Sequence, residues 1–511
     1  MSIQFAVYGD TNCNNQHLTL FLIFFHLLTD DNQDPFGYHL IIFIKYIKDS
    51  PMTPQHAHAI VIGGSIGGLL TARVLSDYFK QVTLIERDQL PSTPDGRAGT
   101  PQGKHVHNLL TRGMKIIESL LPGFEDELVA HGANMANWGR DVKLLSLGGW
   151  LQSLETDLYS PVASRALVEW VIRQRVLAIP TVTIHENTDV RALLTDSLRE
   201  TITGVRVKAR GAGGEEQDLM ADFVIDVSGR SSKSPEWLKD LGYEQPTETT
   251  VDPLVGYATC LYQKPATFKD GWRLLLMTAK APDTCGGAIF EVENNVWMVS
   301  LGGYSGDYPP TDPDGFVEFA RSLREPLLYN LIQDATPISD IVGYRRTLNV
   351  IHHYEKLSRF PQRFALLGDA VCGFNPIYGQ GMTAAAMGVE LLAKTFKAAK
   401  GDLHGLGRRF QVDLAKQNRA LWLLSTGEDF RHKATIGDRP GRMTRLIQQY
   451  IDRVIHILPY HNDIAESFMQ VMNMNQPASV LFKPSIVWRA FTYRRSPQTA
   501  VSLKAQTAPS H

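Results

Sequence analysis

Cysteine is scarce in this chain. Four occur in 511 residues, Cys13, Cys260, Cys285 and Cys372, and no two share a C-x-x-C spacing. That pattern excludes a disulfide framework and a zinc site, and reads as reduced thiols in a cytoplasmic protein. An excess of charge of one sign is also missing. The 51 Lys and Arg against 53 Asp and Glu leave a net charge of −2 with no basic block, so nucleic acid is not expected as a partner. The apolar run Leu18 to Leu28 is about half the ~20 residues a membrane-spanning helix needs. No Lys or Arg precedes it, as a secretory signal would require. What remains is ordinary: 43% hydrophobic and 20% charged residues, in a chain long enough for more than one domain and a sizeable core.

The most organised stretch is Ala57 to Asp88. Ala59 to Ile62 reads as a buried parallel strand, followed at once by Gly63-Gly64-Ser65-Ile66-Gly67-Gly68. Leu69, Leu70, Arg73 and Val74 continue at helical spacing to about Phe79; Val82 to Ile85 is a second strand, ended by Glu86. Strand, glycine turn, helix, strand and acid is the order of a dinucleotide-binding βαβ unit. Gly63 allows a sharp turn off the strand, and Gly68 allows the helix to pack close. Ser65 stands where the motif usually has its second glycine, which crowds the approach to a pyrophosphate slightly. The helix N-terminus, with Gly67 in its first turn, would face the diphosphate. Glu86 stands where a carboxylate accepts from ribose hydroxyls. The bland reading is a βαβ unit without a ligand. A triphosphate P-loop is excluded, because no Lys-Ser/Thr pair follows the glycines.

Residues 1–51 precede this unit and read as an extension outside the fold, with Met52 as a plausible start. A membrane-surface anchor is the sharper alternative for that segment. After the unit, Pro91 to Gly99 is a loop rich in Pro, Gly, Ser and Thr. His105 and His107 lie in the next stretch and read as polar wall residues, since no carboxylate or cysteine stands near enough in sequence to complete a metal set. Met114 to Leu121 is a helix. Ser164 to Ala178 is a better one, capped by Ser164. Arg165 falls in its first turn, where a cation opposes the dipole, which hints at an anionic partner. Val182 to Ile184, Val190 to Leu194 and Val205 to Lys208 are short strands. Asp222 to Val227 is a strand ending in the Ser228-Gly229-Arg230 turn. Residues 251–345 alternate or run apolar and read as an inserted, mostly antiparallel sheet, suited to the wall of a lipophilic pocket or simply packed.

A second anchor follows. Arg363 to Leu367 is a strand ending in Gly368-Asp369, then comes the loop Val371 to Met382 with Pro376, Gly379 and Gly381, then a helix from Thr383 to Lys397. Asp369 can accept from sugar hydroxyls. The Gly379–Gly381 backbone can approach a flat ring, and the helix end stabilises negative charge there. Two such anchors far apart suit a long FAD better than a nicotinamide dinucleotide. Residues 404–495 read as a helical cap: Leu406 to Leu424, a break at Arg439-Pro440-Gly441, then Met443 to Leu458, Ile464 to Met472 and Val480 to Phe491. Residues 496–511 read as a disordered tail. Among the last helices Phe482, Trp488 and Phe491 mix with Lys483, Arg489 and Arg494, so peripheral contact with a membrane surface is the alternative to a plain cap.

The glycine motif with Glu86-Arg87, the DVSGRSS turn and GDAVCGFNPIYGQGM together resemble FAD-dependent monooxygenases of the p-hydroxybenzoate hydroxylase fold. The Gly103 to Arg112 phrase and the FNPIYGQGM loop resemble in particular the bacterial flavin epoxidases of polyether biosynthesis and their squalene-epoxidase-like relatives. The resemblance spans roughly residues 56 to 495. It implies an α/β fold: a Rossmann-like FAD-binding domain from 52–250 and 346–403, the inserted substrate sheet at 251–345 and the helical region at 404–495. It implies that Glu86 binds the adenosine ribose, Arg165 lies near the diphosphate, Asp369 binds the ribityl chain and Gly379 to Met382 sit at the flavin ring. Gly63, Ser65, Gly67, Gly68, Arg87, Val190, Gly368 and Pro376 complete the cofactor-binding set; no catalytic residue and no metal ligand is assigned.

The activity implied is oxygen transfer from dioxygen to a lipophilic alkene or aromatic through a flavin hydroperoxide. NAD(P)H is the electron donor, directly or through a separate flavin reductase. A flavin halogenase is a rival, but its usual Trp-x-Trp-x-Ile-Pro stretch is missing. A prenyl-chain reductase and a non-catalytic escort protein that keeps the FAD fold are the others. Cys372 reads as a small packed residue.

Overall fold

A computed structural model describes residues 56–211 and 213–493, together with the backbones of two short strands, Ile23–Phe24 and Ile41–Ile42. The chain falls into two units, Met1–Thr53 and Pro54–His511. In the first, the two short strands pair antiparallel. The readings of residues 1–51 as an extension and of residues 496–511 as a tail otherwise concern positions outside the described residues.

The second unit is built on a parallel sheet. Its strands are β1 (His56–Ile62), β2 (Phe79–Ile85), β3 (Val182–His185), β4 (Phe223–Asp226) and β5 (Phe364–Leu366), in the spatial order β5-β4-β1-β2-β3. Ala59, Ile60 and Val61 are wholly buried, as are Phe223 to Ile225 and Phe364 to Leu366. Such unbroken apolar runs belong to strands covered on both faces. The packed helices are α1 (Ile66–Leu75), α2 (Thr111–Leu120), α3 (Arg165–Leu177), α4 (Gly381–Ala399) and α5 (Leu406–Asp429). Helix α1 stops at Leu75 instead of running to Phe79. The Phe79 ring is claimed by the core, packed against Phe223 and Phe396, and opens β2. The N-cap expected at Ser164 is present: its hydroxyl accepts from Leu167 N at 3.1 Å.

The second sheet has seven strands, in the order Val342–Tyr344, Gly256–Gln263, Val296–Gly303, Cys285–Val292, Leu274–Met277, Val142–Ser146 and Gly149–Trp150. The turn at Asn294 and Asn295 has both residues at positive φ (64° and 55°), the backbone a tight hairpin needs. Val142–Ser146 pairs parallel with Leu274–Met277, so the sheet also draws a strand from well before residue 251. That strand is only five residues, too short for its pattern to declare which sheet it joins. One face packs Trp297, Val299 and Leu301 against helices Pro313–Arg321 and Leu327–Ile332. The other face carries Leu261, Leu276 and Met298 and packs with Val106 and Leu110.

The C-terminal region adds α6 (Arg442–Ile457), α7 (Asn462–Met472) and α8 (Pro484–Thr492). Helix α5 runs past Leu424 to Asp429, and the chain leaves helical structure there, before the Arg439-Pro440-Gly441 break. The stretch from Val480 to Phe491 is not one helix. Pro484 has no N–H to continue the turn Ala478–Phe482, and it opens α8 instead.

Candidate cofactor site

The first glycine loop is fixed by close approach. Gly63 has φ +104°, and a methyl there would lie 2.7 Å from Val227 O. A methyl on Gly68 would lie 1.8 Å from Gly63 O, so Gly68 admits the turn of its own loop as well as the neighbouring strand. Helix α1 then begins with no side-chain cap from Ser65 and no acid in its first turn. Its first N–H groups remain available to an anion.

Glu86 is buried at the end of β2. Its carboxylate accepts from Gly64 N at 2.7 Å and from Asp88 N at 2.9 Å, so it braces the glycine loop from beneath. Arg165 is paired, not exposed to the dipole of α3. Its guanidinium lies 2.8 Å from Glu169 and donates to the Ser65 hydroxyl at 2.7 Å, and that hydroxyl donates to Glu169 at 3.1 Å. Ser65, which sequence reading treated only as crowding, is thus the point where Arg165 grips the loop. Burial alone would raise the Glu169 carboxyl, but Arg165 and Arg97 outweigh it and hold it below the usual carboxylate range.

Arg97 is the residue that sequence reading missed here. Its side chain is only 6% exposed and reaches Asp88 at 2.7 Å, Glu169 at 3.0 Å and Glu86 at 3.3 Å. The signal was present only as a charged residue inside an apparently plain loop. Arg87 turns outward and donates to Ser231 Oγ at 3.4 Å. With Arg97 and Arg210 it lines an open cavity of 640 Å³ beyond the end of β2. Val190 lies on the strand Thr188–Thr195, whose start is tied to β2 by Thr188 N donating to Glu86 O at 3.0 Å.

The second anchor stands beside the first. β4 and β5 are neighbours, with Asp226 in register with Leu366, so the DVSGRSS turn and Gly368-Asp369 emerge together. Arg230 joins them: it lies 3.2 Å from Asp369 and donates to the carbonyls of Leu348 and Phe374. Pro376 opens the short turn Pro376–Tyr378. Gly379 follows at φ +65°, and Gly381 and Met382 form the first turn of α4. Helix α4, like α1, starts with no side-chain cap and no acid in its first turn. The two starts are adjacent, since a methyl on Gly67 would lie 3.6 Å from Ala385 Cβ.

These residues fit FAD. Ser228 Oγ beside the first loop, and Asn108 Oδ1 and Gln380 Oε1 beside the second, are buried without hydrogen-bond partners. A methyl on Gly379 would lie 3.4 Å from Asn108 Cβ, while one on Gly381 would meet nothing within 4 Å, leaving space at the helix end. Unpartnered polar atoms, two uncapped helix N-termini and open space at Gly381 suit a diphosphate at one end and a polar ring at the other.

His105 and His107 lie on the stretch from Gly103, which neighbours Arg165, to Asn108, which neighbours Gly379. Burial, then Lys104, pushes His105 down to about 4; burial, then Arg165, pushes His107 down to about 3. Both are neutral at neutral pH, as wall residues should be. His105 Nδ1 meets Thr259 Oγ1 at 2.8 Å on the second sheet. No group of histidine, cysteine and acidic side chains suited to a metal occurs among the described residues. Cys372 is buried, and burial with Asp369 keeps its thiol protonated.

A family model described as FAD binding domain matches residues 56–420. The chain is 30% identical to Protein Rv3254 of Mycobacterium tuberculosis over 452 residues, 85% of this chain and 93% of that one. It is 24% identical to a kynurenine 3-monooxygenase of Salinispora tropica over 440 residues, 80% of this chain and 87% of that one. The solved structure of the flavin-dependent brominase Bmp2 superposes with a TM-score of 0.59 at 14% identity, covering 88% of this chain and 100% of that chain. That likeness concerns the fold.

Proposed function

The chain belongs to the FAD binding domain family and is an FAD-dependent monooxygenase, and from that premise we propose that it transfers one oxygen atom to a lipophilic alkene, giving an epoxide, or to an aromatic, giving a phenol. The supporting observation is the meeting of the second anchor with the inserted sheet. A methyl on Gly302 would lie 3.4 Å from Ile377 Cδ1, and Tyr304 donates to Tyr378 at 3.0 Å. The loop that would hold the reactive ring therefore touches the sheet that would hold the substrate. The relative named kynurenine 3-monooxygenase favours the aromatic outcome; the motif resemblance favours the alkene.

Bound FAD supplies the electron transfer and dioxygen chemistry, with NAD(P)H the donor typical of the family. The chain does the rest. The α1 N-terminus would receive the diphosphate, with Arg165 holding the loop beneath it through Ser65. Asp369 accepts from sugar-chain hydroxyls. The uncapped α4 N-terminus would stabilise negative charge on the ring held there. The apolar face of Leu261, Leu276 and Met298 excludes water, so that oxygen passes to substrate and is not lost as hydrogen peroxide.

The decisive experiment supplies NAD(P)H or a chemical flavin reductant, labelled dioxygen and a panel of lipophilic alkenes and aromatics. Product mass should rise by one labelled oxygen atom. Label arriving only from water, a gain of two hydrogens without oxygen, or a halogen incorporated from added bromide would sink the reading. Turnover with chemical reductant but not NAD(P)H would point to a separate flavin reductase.

No described helix is long and apolar enough to cross a membrane. We propose in addition that the exposed face of α6 and α8 rests on an anionic bilayer, from which a lipophilic substrate would be drawn.

A further inference from the structure

Asp429, the last residue of α5, is wholly buried, and among the described residues no cation pairs with it. Its carboxylate is held by neutral donors only. Oδ1 accepts from Tyr378 Oη at 2.7 Å and Asn375 Nδ2 at 2.9 Å, and Oδ2 accepts from Asn349 Nδ2 at 2.7 Å. The orientation of Asn349 is itself fixed, because its Oδ1 accepts from Asn375 N at 2.7 Å and Ser425 Oγ at 2.9 Å. Donors thus arrive at both oxygens, and only an acceptor-only group satisfies them all. An asparagine would turn its NH2 either on Asn349 Nδ2 or on Tyr378 and Asn375. Burying a carboxylate with no cation costs several kcal/mol, so a plain packing role is a poor account of it.

What Asp429 holds is the cofactor loop. Asn375 Oδ1 accepts from Ile377 N at 3.2 Å and so caps the turn Pro376–Tyr378. Asn375 and Tyr378 bracket that turn. The next residues are Gly379, Gln380 and Gly381, whose backbone begins α4. Neither α4 nor the loop borders Asp429 in sequence, so the tether is a tertiary device. Tyr304, just past the strand Val296–Gly303, donates to Tyr378 at 3.0 Å and so joins the same network.

We propose that Asp429 is the positioning residue of the Gly379–Gly381 loop, acting through Tyr378 and Asn375 to aim its backbone at the flavin ring. The proposal rests on the FAD reading above. Its test uses the FAD-loaded full chain and reads two properties that mere stability would not move: the visible absorption band of bound FAD, and its release rate on dilution, followed by flavin fluorescence.

Tyr378→Phe and Asp429→Asn should each shift the band and speed release by roughly tenfold, the scale of one lost hydrogen bond to a charged group. The double variant should be less than additive and little worse than Asp429→Asn alone, because the Tyr378 hydroxyl donates to that same carboxylate. Thr435→Ala, which removes a buried hydroxyl bonded to the Asp429 backbone carbonyl at 2.6 Å but leaves the carboxylate and its three donors, should change release less than about twofold. Should Asp429→Asn fail to fold, Tyr378→Phe carries the test. Variants that melt earlier but keep the wild-type band and release rate would overturn the proposal and leave the FAD reading intact. A wild type that takes up no FAD would overturn both.

Discussion

The Arg165 guanidinium donates to the Ser65 hydroxyl at 2.7 Å, which joins the first turn of α3 to the start of α1. The same arginine neutralises Glu169, so the loop that should receive a diphosphate is braced by a buried ion network. Removing one member leaves charge uncompensated in the interior.

Arg165→Ala should therefore lower unfolding free energy by about 3 kcal/mol and weaken FAD binding by roughly ten- to a hundredfold. Arg165→Lys, which keeps the charge but loses the fork, should fall between. Urea unfolding and FAD titration separate the two effects. Lost stability with unchanged FAD affinity would remove Arg165 from the diphosphate site.

Asp369 makes the opposite case. Its ion pair with Arg230 is partly exposed, with side chains 39% and 29% accessible, so the pair itself adds at most about 1 kcal/mol. Asp369→Ala should leave the chain folded while FAD is lost during purification or bound more weakly. Stoichiometric FAD at wild-type affinity would show that the sugar chain lies elsewhere.

The two anchors were legible because each is a local pattern: apolar strand, glycine turn, helix, with an acid at a strand end. Their adjacency was not, since it depends on β4 and β5 pairing across well over a hundred residues. Arg97 sat unnoticed in a loop rich in small residues, yet it contacts Glu86, Asp88 and Glu169. Asp429 carries no local signal, since it lies beyond the Leu406 to Leu424 pattern; only the folded chain shows three donors converging on it. Helix ends went wrong where tertiary contacts decided, as at Phe79, and where proline did, as at Pro484.

Burial raises the Asp429 carboxyl from 3.8 to about 6, against the hydrogen bonds from Tyr378, Asn375 and Asn349 that lower it. The folded state therefore binds this proton more tightly than the unfolded state. Its contribution to stability is fullest below about pH 4 and is lost as pH rises through about 6, a change of roughly 3 kcal/mol. Asp429→Asn carries a penalty that does not vary with pH. The difference in unfolding free energy between wild type and variant should therefore slope between pH 4 and 6 and be flat above about 7. A difference independent of pH throughout would mean that Asp429 ionises as an ordinary exposed acid.

The last prediction concerns the outer face of the helical region. Met443 (69% exposed), Leu446 (59%), Trp488 (62%) and Phe491 (58%) stand in solvent. They form one patch, because Tyr450 lies 4.9 Å from Phe482 and 6.2 Å from Phe491, and Met443, Leu446 and Tyr450 share a face of α6. Arg442, Arg445, Arg453 and Lys483 are exposed around it, and Arg453 lies over the Phe491 ring at 4.7 Å. An apolar stripe edged by cations matches a bilayer with anionic headgroups. The full chain should sediment with vesicles containing phosphatidylglycerol and less with phosphatidylcholine alone, and salt should weaken the first. Leu446→Ser combined with Trp488→Ser should abolish sedimentation while changing unfolding free energy by less than about 1 kcal/mol, since both side chains are exposed. Self-association of the wild type that the same double variant abolishes, with no vesicle binding, would assign the face to a second copy of the chain.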